Sequence, residues 1–139
     1  MAVFCQCPNE GFAVTDSQIH KLDFRCPSAH TVFVELKDYK HMLELSPLCE
    51  VVPMSNRPYM LQITGTKVVL WDERNNKSPV ITWRHMLADR PRRAILKSKG
   101  EEDFLFLSSD QEHKVCCVSM SGFSSKNETA ENFGHSLGL

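Results

Sequence analysis

The chain has 139 residues, 42% of them hydrophobic and 24% charged, with 7 Pro and 6 Gly. That makeup excludes a disordered or fibrous chain and fits one globular domain able to bury a core without disulfides or metal. Sixteen Lys and Arg against seventeen Asp and Glu leave a net charge of −1, so the bulk electrostatic drive of a nucleic-acid binder is absent and any ionic recognition must be local. No apolar run approaches the roughly 20 residues of a membrane-spanning helix. The N-terminal octet, Met1 to Pro8, lacks the basic and apolar regions of a secretory signal. A soluble protein of a reducing, cytoplasmic compartment is therefore expected, with its six cysteines as thiols. The sequon Asn127-Glu128-Thr129 would matter only in a secreted protein.

Residues 1–28 read as an N-terminal extension: Phe4, Phe12, Val14, Ile19, Leu22 and Phe24 have strand character, but Pro8, Asn9 and Gly11 interrupt the pattern. From residue 29 to 139 one domain is expected. Its first strand is Thr31–Leu36. Residues 38–48 fit either a helical turn or a strand. Tyr59–Ile63 alternates apolar and polar and reads as a strand, with Thr64–Lys67 as its turn. Val68–Trp71 is strongly β-prone, and Asp72–Ser78 is a polar hairpin connection to the return strand Pro79–Trp83. Ala94–Lys97, Phe104–Leu107 and Lys114–Met120 complete about seven strands. In the last segment, Ser124 to Glu128 offers caps and an acidic first turn before Ala130, Phe133 and Leu137 at helical spacing. No internal repeat is evident.

Three stretches carry a resemblance. Phe33-Val34-Glu35-Leu36 matches an opening Phe/Trp-x-Val strand, and Tyr59-Met60-Leu61-Gln62-Ile63-Thr64 matches a Tyr-x-Leu-x-(Ile/Val)-Thr strand. Val80-Ile81-Thr82-Trp83 followed by Met86-Leu87, Arg92-Arg93 and Phe104-Leu105-Phe106 matches a strand ending in Trp, a Leu-Arg-Arg segment and a Phe-x-Phe strand. In these respects residues 31–137 resemble the phosphotyrosine-binding domains of the insulin-receptor-substrate and docking-protein type. The resemblance implies a mainly β fold: a pleckstrin-homology-like barrel of about seven antiparallel strands capped by one C-terminal helix. It also implies a non-catalytic signalling adaptor. Such a domain binds a tyrosine-containing receptor or adaptor peptide of the Asn-Pro-x-Tyr kind, which adds as a strand to a sheet edge. Two departures touch the ligand site. Ala88-Asp89-Arg90-Pro91 lengthens the interval from Trp83 to the Arg pair, and Gln111 or its neighbours Glu112 and His113 replace the family's second phosphate-binding Arg.

The residues themselves point to the same region. Arg84, Arg90, Arg92, Arg93, Lys97 and Lys99 fall within sixteen positions, with Asp89 the one acid among them. A phosphotyrosine phosphate carries about −1.5 to −2 charges and suits planar guanidinium donors. The phosphate-binding candidates are Arg90, Arg92, Arg93 and Lys97, and Ala94, Ile95 and Leu96 with Phe133 and Leu137 are the candidate peptide groove. The same basic segment also fits a solvated edge strand whose charges deter aggregation.

Alternatives of other classes are a phosphoinositide-binding module recruited to the inner plasma membrane, using Lys67, Arg74, Lys77 and Lys97, and a protein-interaction scaffold without phosphate binding. Cys5, Cys7 and Cys26 with His20 or His30 supply enough zinc ligands, but their Cys-x-Cys spacing is not that of common structural sites, and no metal or other cofactor is expected. No catalytic residue is expected, since neither a Gly-rich phosphate loop nor a His-Glu-x-x-His is present.

Overall fold

The computed structural model describes residues 2–4, 9–15, 18–26, 30–35, 48–54, 57–109, 111, 113–120 and 135–137. These form twelve strands and no helix. The first sheet contains β1 (Ala2–Phe4), β2 (Glu10–Val14), β3 (Gln18–Asp23) and β4 (His30–Glu35). The middle sheet contains β5 (Leu48–Pro53), β6 (Tyr59–Thr64), β7 (Lys67–Asp72) and β8 (Ile81–Arg84). The third contains β9 (Arg93–Lys99), β10 (Glu102–Ser109), β11 (Lys114–Ser119) and β12 (His135–Leu137). Within each sheet, chain neighbours pair antiparallel in a simple meander. The sheets open at Ala2, Leu48 and Arg93, a structural repeat of about 45 residues, the length of one four-stranded propeller blade.

All seven strands read from the sequence are present within a residue or two. Their grouping is different. The chain makes three separate sheets and not one closed barrel. The expected boundary at residue 28 falls between β3 and β4 of a single sheet. Of the C-terminal helix, residues 124–134 lie outside the described residues, while His135–Leu137 is a strand whose Leu137 pairs with Val115. An open edge on β11 takes backbone partners from an extended segment, which overrides the weak helical preference of a stretch containing Gly134 and Gly138.

The sheets stack face to face. Phe12, Ile19, Phe33 and Val34 of the first sheet pack on Val51, Met60, Val69 and Trp71 of the middle one, with the Phe12 and Phe33 rings edge to face at 5.7 Å. The other face of the middle sheet, Leu61, Ile63, Val68, Leu70 and Trp83, meets Ala94, Leu105, Leu107, Cys116 and Val118 of the third. Alternation explains this sorting, because successive side chains on a strand point to opposite faces. In β6 and β7 both faces are apolar, and residues 60–64 and 68–71 are all buried.

The first strands lie nearest one another: β5 contacts both β1 and β9. Polar links tie the sheets together. Lys21 Nζ lies 2.9 Å from Glu73 Oε2 and 3.2 Å from Glu10 Oε2, Asn76 donates to the Phe33 carbonyl, and Arg57 donates to the Glu101 carbonyl at 2.9 Å. Burial alone would lower the Lys21 pKa, but the Glu73 and Glu10 carboxylates outweigh it and raise it. At the β9–β10 turn Gly100 has φ +66°, a left-handed conformation that costs glycine little.

Inside the first interface Trp71 is fully buried and its indole N–H donates to Gln62 Oε1 at 2.8 Å. Leaving one member of a buried pair without its partner costs about 1–3 kcal/mol, whereas removing both is cheaper. Trp71→Phe or Gln62→Leu alone should therefore lower the unfolding free energy by about 1–3 kcal/mol. The Trp71→Phe/Gln62→Leu double variant should fall short of the sum of the two, as read from denaturant midpoints in a double-mutant cycle.

Candidate functional site

The ends of the stack differ in charge. One end gathers the β6–β7 turn, the close of β8, the 85–92 crossover to β9 and the start of β11. Register fixes this: Lys67 pairs with Arg84, Arg93 with Ser108 and Ser109 with Lys114. The Arg92 N–H donates to the Ser108 carbonyl at 2.8 Å and the His85 N–H to the Thr66 carbonyl at 3.3 Å, so the crossover is laid against both sheets. The Thr64 hydroxyl holds the β6–β7 turn, accepting from the Lys67 N–H at 2.9 Å and donating to the Lys67 carbonyl at 3.0 Å. Arg84, Arg90, Arg92, Arg93 and Lys114 are exposed there and Lys67 is half-buried.

The described acids at this end, Glu35, Glu50 and Asp89, are half-buried. Glu50 accepts from the Ala94 N–H at 2.8 Å and Glu35 from the Gln18 side chain at 2.7 Å.

At the opposite end two aspartates pair with arginines inside their own turns. Asp72 Oδ1 accepts from the Arg74 N–H and Nε, both at 2.9 Å, and Oδ2 from the guanidinium at 2.8 Å. Asp23 and Arg25 repeat the arrangement at the end of β3, with bonds of 3.0, 2.9 and 2.7 Å. Hydrogen bonding to the Arg25 side chain holds the Asp23 carboxyl down at about 2, and Arg74 lowers Asp72 in the same way. Arg57 lies 3.6 Å from Asp103 at this end.

Of the residues singled out from the sequence, Arg90, Arg92 and Arg93 come together at the basic end. Lys97 does not, because it lies four residues along β9 from Arg93, about 13 Å away at strand rise. Lys67 and Lys114, at equivalent first positions of β7 and β11, join the cluster instead. The structural repeat was the signal that could have linked them.

The expected groove is not assembled. Ala94 is buried at 7% exposure in the interface with the middle sheet, its amide taken by Glu50. Leu96 packs half-buried against the same core, and Ile95 is exposed on the other face. Leu137 sits on β12, the far edge of the same sheet from β9, three strand spacings or about 14 Å away. Phe133 lies outside the described residues.

Arg74 and Lys77, weighed for a lipid headgroup, lie at the opposite end from Lys67, beside the β7–β8 hairpin. Among the zinc candidates, Cys5 and Cys7 are outside the described residues and Cys26 is exposed. No three His, Cys, Asp or Glu side chains gather to hold a metal among the described residues. No helix among them is long and apolar enough to cross a membrane.

Four-stranded meanders stacked face to face with their first strands adjacent define a stack of propeller-type blades. A solved structure, that of the N-terminal domain of Nup159, a β-propeller, is similar in fold at a TM-score of 0.50 and 12% identity. The likeness covers 99% of this chain but 30% of that one, so the chain spans less than a third of that domain's length. No protein-family model matches the chain, and no curated protein is significantly similar to it.

A depressed carboxylate favours the folded state above its ordinary pKa, and the contribution is lost as pH falls through the folded value. For Asp23 that window runs from 3.8 down to about 2. In Arg25→Ala, the Asp23 carboxyl carbon followed by NMR should titrate near the ordinary 3.8 rather than near 2.

Proposed function

We propose that this chain is a non-catalytic interaction module that docks an acidic peptide segment, tyrosine-phosphorylated in the favoured case, on its basic end. The observation that carries the reading is the convergence of Arg84, Arg90, Arg92, Arg93, Lys67 and Lys114 from two sheets and one crossover, against an opposite end where Asp23 and Asp72 are held by neighbouring arginines. Affinity would come from charge-assisted bonds to exposed guanidinium groups at the blade ends, and not from a strand added beside β9.

Arg92 and Arg93 are neighbours at the mouth of β9. Arg93 shares its strand face with Ile95 and Lys97, and Arg92 projects from the crossover, so the two approach a bound phosphate from different sides. A module of this kind acts by bringing partners together. Its expected setting is the cytoplasm beside the inner membrane surface, where receptor tails are phosphorylated.

The test is a titration of the full chain with a fluorescent Asn-Pro-x-Tyr peptide in phosphorylated and unphosphorylated forms, with phosphoinositide vesicles in parallel. Phosphate-dependent binding in the micromolar range, about −8 kcal/mol, is expected. Arg92→Ala/Arg93→Ala should weaken it at least tenfold, since each charged hydrogen bond lost is worth about 1.5–3 kcal/mol. Unchanged binding in the double variant overturns the reading, and binding to vesicles alone reassigns the basic end to lipid headgroups.

A further inference from the structure

The 85–92 crossover continues the two-sided pattern of β8. Trp83, His85, Leu87 and Pro91 are buried, whereas Arg84, Met86, Ala88, Arg90 and Arg92, every second residue, are exposed. Successive side chains of an extended backbone point to opposite sides. One side of the crossover is therefore sunk into the molecule, and the other forms a ridge across the basic end. The ridge is fixed along its length. The His85 N–H donates to the Thr66 carbonyl at 3.3 Å, and the Arg92 N–H to the Ser108 carbonyl at 2.8 Å. Between them the Met86 backbone is hydrogen-bonded to the Cys116 thiol, and Leu87 packs in the core between the middle and third sheets.

Met86 is 56% exposed, the most exposed large hydrophobic side chain among the described residues. A single apolar side chain at a surface is ordinary, but this one stands at a set place in a charged ridge, with Arg84 two residues before it and Arg90 four after. Its thioether is flexible and polarizable, so it fits apolar partners of different shapes. Ala88, the other exposed apolar residue of the ridge, puts no bulk between Met86 and Arg90.

We propose that the ridge is a two-part specificity surface. The docked segment lies along it extended, with a bulky apolar side chain on Met86 and Ala88 and its phosphate or carboxylates on Arg90, Arg92 and Arg93. This inference rests on the reading of the basic end as a peptide-docking surface, and adds what the peptide carries besides negative charge. Spacing follows from the reach of a chain. Arg92 is six residues from Met86, at most about 21 Å, and an extended ligand spans that distance in as many residues. The ligand's apolar residue therefore lies within six positions of its phosphotyrosine. A peptide suits the ridge better than a membrane does, because interfacial binding scales with buried apolar area and one Met with one Ala offer little. A ridge already held in place also has little ordering entropy to lose on binding.

Fluorescent phosphotyrosine peptides with a single Leu four or ten positions from the phosphotyrosine, on either side, test this against an all-Ala control. Each is titrated with the full chain and with Met86→Ser, and Met86→Gln repeats the test with a polar side chain of similar length. Leu at four positions on one side should tighten binding about fivefold over the control, and Leu at ten should add nothing. In both variants the gain should vanish while the control peptide binds as before. A gain that survives Met86→Ser, a gain equal at four and ten positions, or no gain overturns this inference, and phosphate-dependent binding of the control then leaves the docking reading standing. Binding of no peptide, or binding indifferent to phosphate, overturns the docking reading and this inference with it. Vesicles of phosphatidylcholine and phosphatidylserine serve as the membrane arm, and a Met86→Ser effect confined to vesicle binding overturns the peptide assignment.

Discussion

The structure depends on one constraint: the middle sheet must be dry on both sides. Residues 60–64 of β6 and 68–71 of β7 are all buried, and the side chains divide by parity between two interfaces. A strand of that kind cannot sit at the surface of a two-layer fold. Exposing either face would forfeit about 25 cal/mol for each Å² of apolar surface left wet. The stack of three follows, because only sheets on both sides satisfy β6 and β7 together. Gln62 and Trp71 show how strictly the rule is applied, since the one amide side chain in the β6 core spends its oxygen on the one indole donor of the same interface.

Stacking by faces leaves the strand ends as the places where polar chemistry can collect. In a meander every strand delivers one terminus to each end of the blade, so a charge at the first position of β7 or β11, or the last of β8, is presented at the same end. Lys67, Arg84 and Lys114 arrive there by that rule, and the 85–92 crossover adds Arg90 and Arg92. The other end receives the Asp-x-Arg turns after β3 and β7, where each carboxylate is satisfied by an arginine two residues on. A net charge of −1 over the whole chain therefore conceals two ends of different character. Composition could not reveal this, because it sums over positions that the fold separates.

Local structure was legible in the sequence. Alternation and turn chemistry identified the seven strands from Thr31 onward, and the polar Asp72–Ser78 connection marked a hairpin that exists. Grouping was not legible, because a strand with one or both faces apolar reads the same in a barrel and in a blade. The resemblance to phosphotyrosine-binding domains rested on motifs within single strands, such as Phe33-Val34 and Tyr59 to Thr64, and those motifs carry no information about which sheet a strand joins. Two features had the missing information. The Trp71-Asp72 dipeptide closes the third strand of its sheet, as the Trp-Asp cue of propeller blades does. Asp23-x-Arg25 and Asp72-x-Arg74 recur one repeat apart in the same turn. Both lay in plain sequence, but the rest of each repeat has diverged, and β3, β7 and β11 share a length and hardly a residue.

The candidate site was half legible for the same reason. Arg90, Arg92 and Arg93 stood out because they are close in sequence, and closeness in sequence survives folding when the segment is a short crossover. Lys97 stood equally close and was carried away, because a strand moves its fourth residue about 13 Å along the sheet. The groove failed on topology: a strand edge and a C-terminal segment become neighbours only if they share an edge, and β9 and β12 occupy opposite edges of one sheet. In a meander the first and last strands are always those farthest apart. Any surface that needs both ends of one repeat must therefore be built along its loops or from a neighbouring sheet, and here the loops that meet at one end are the ones rich in arginine.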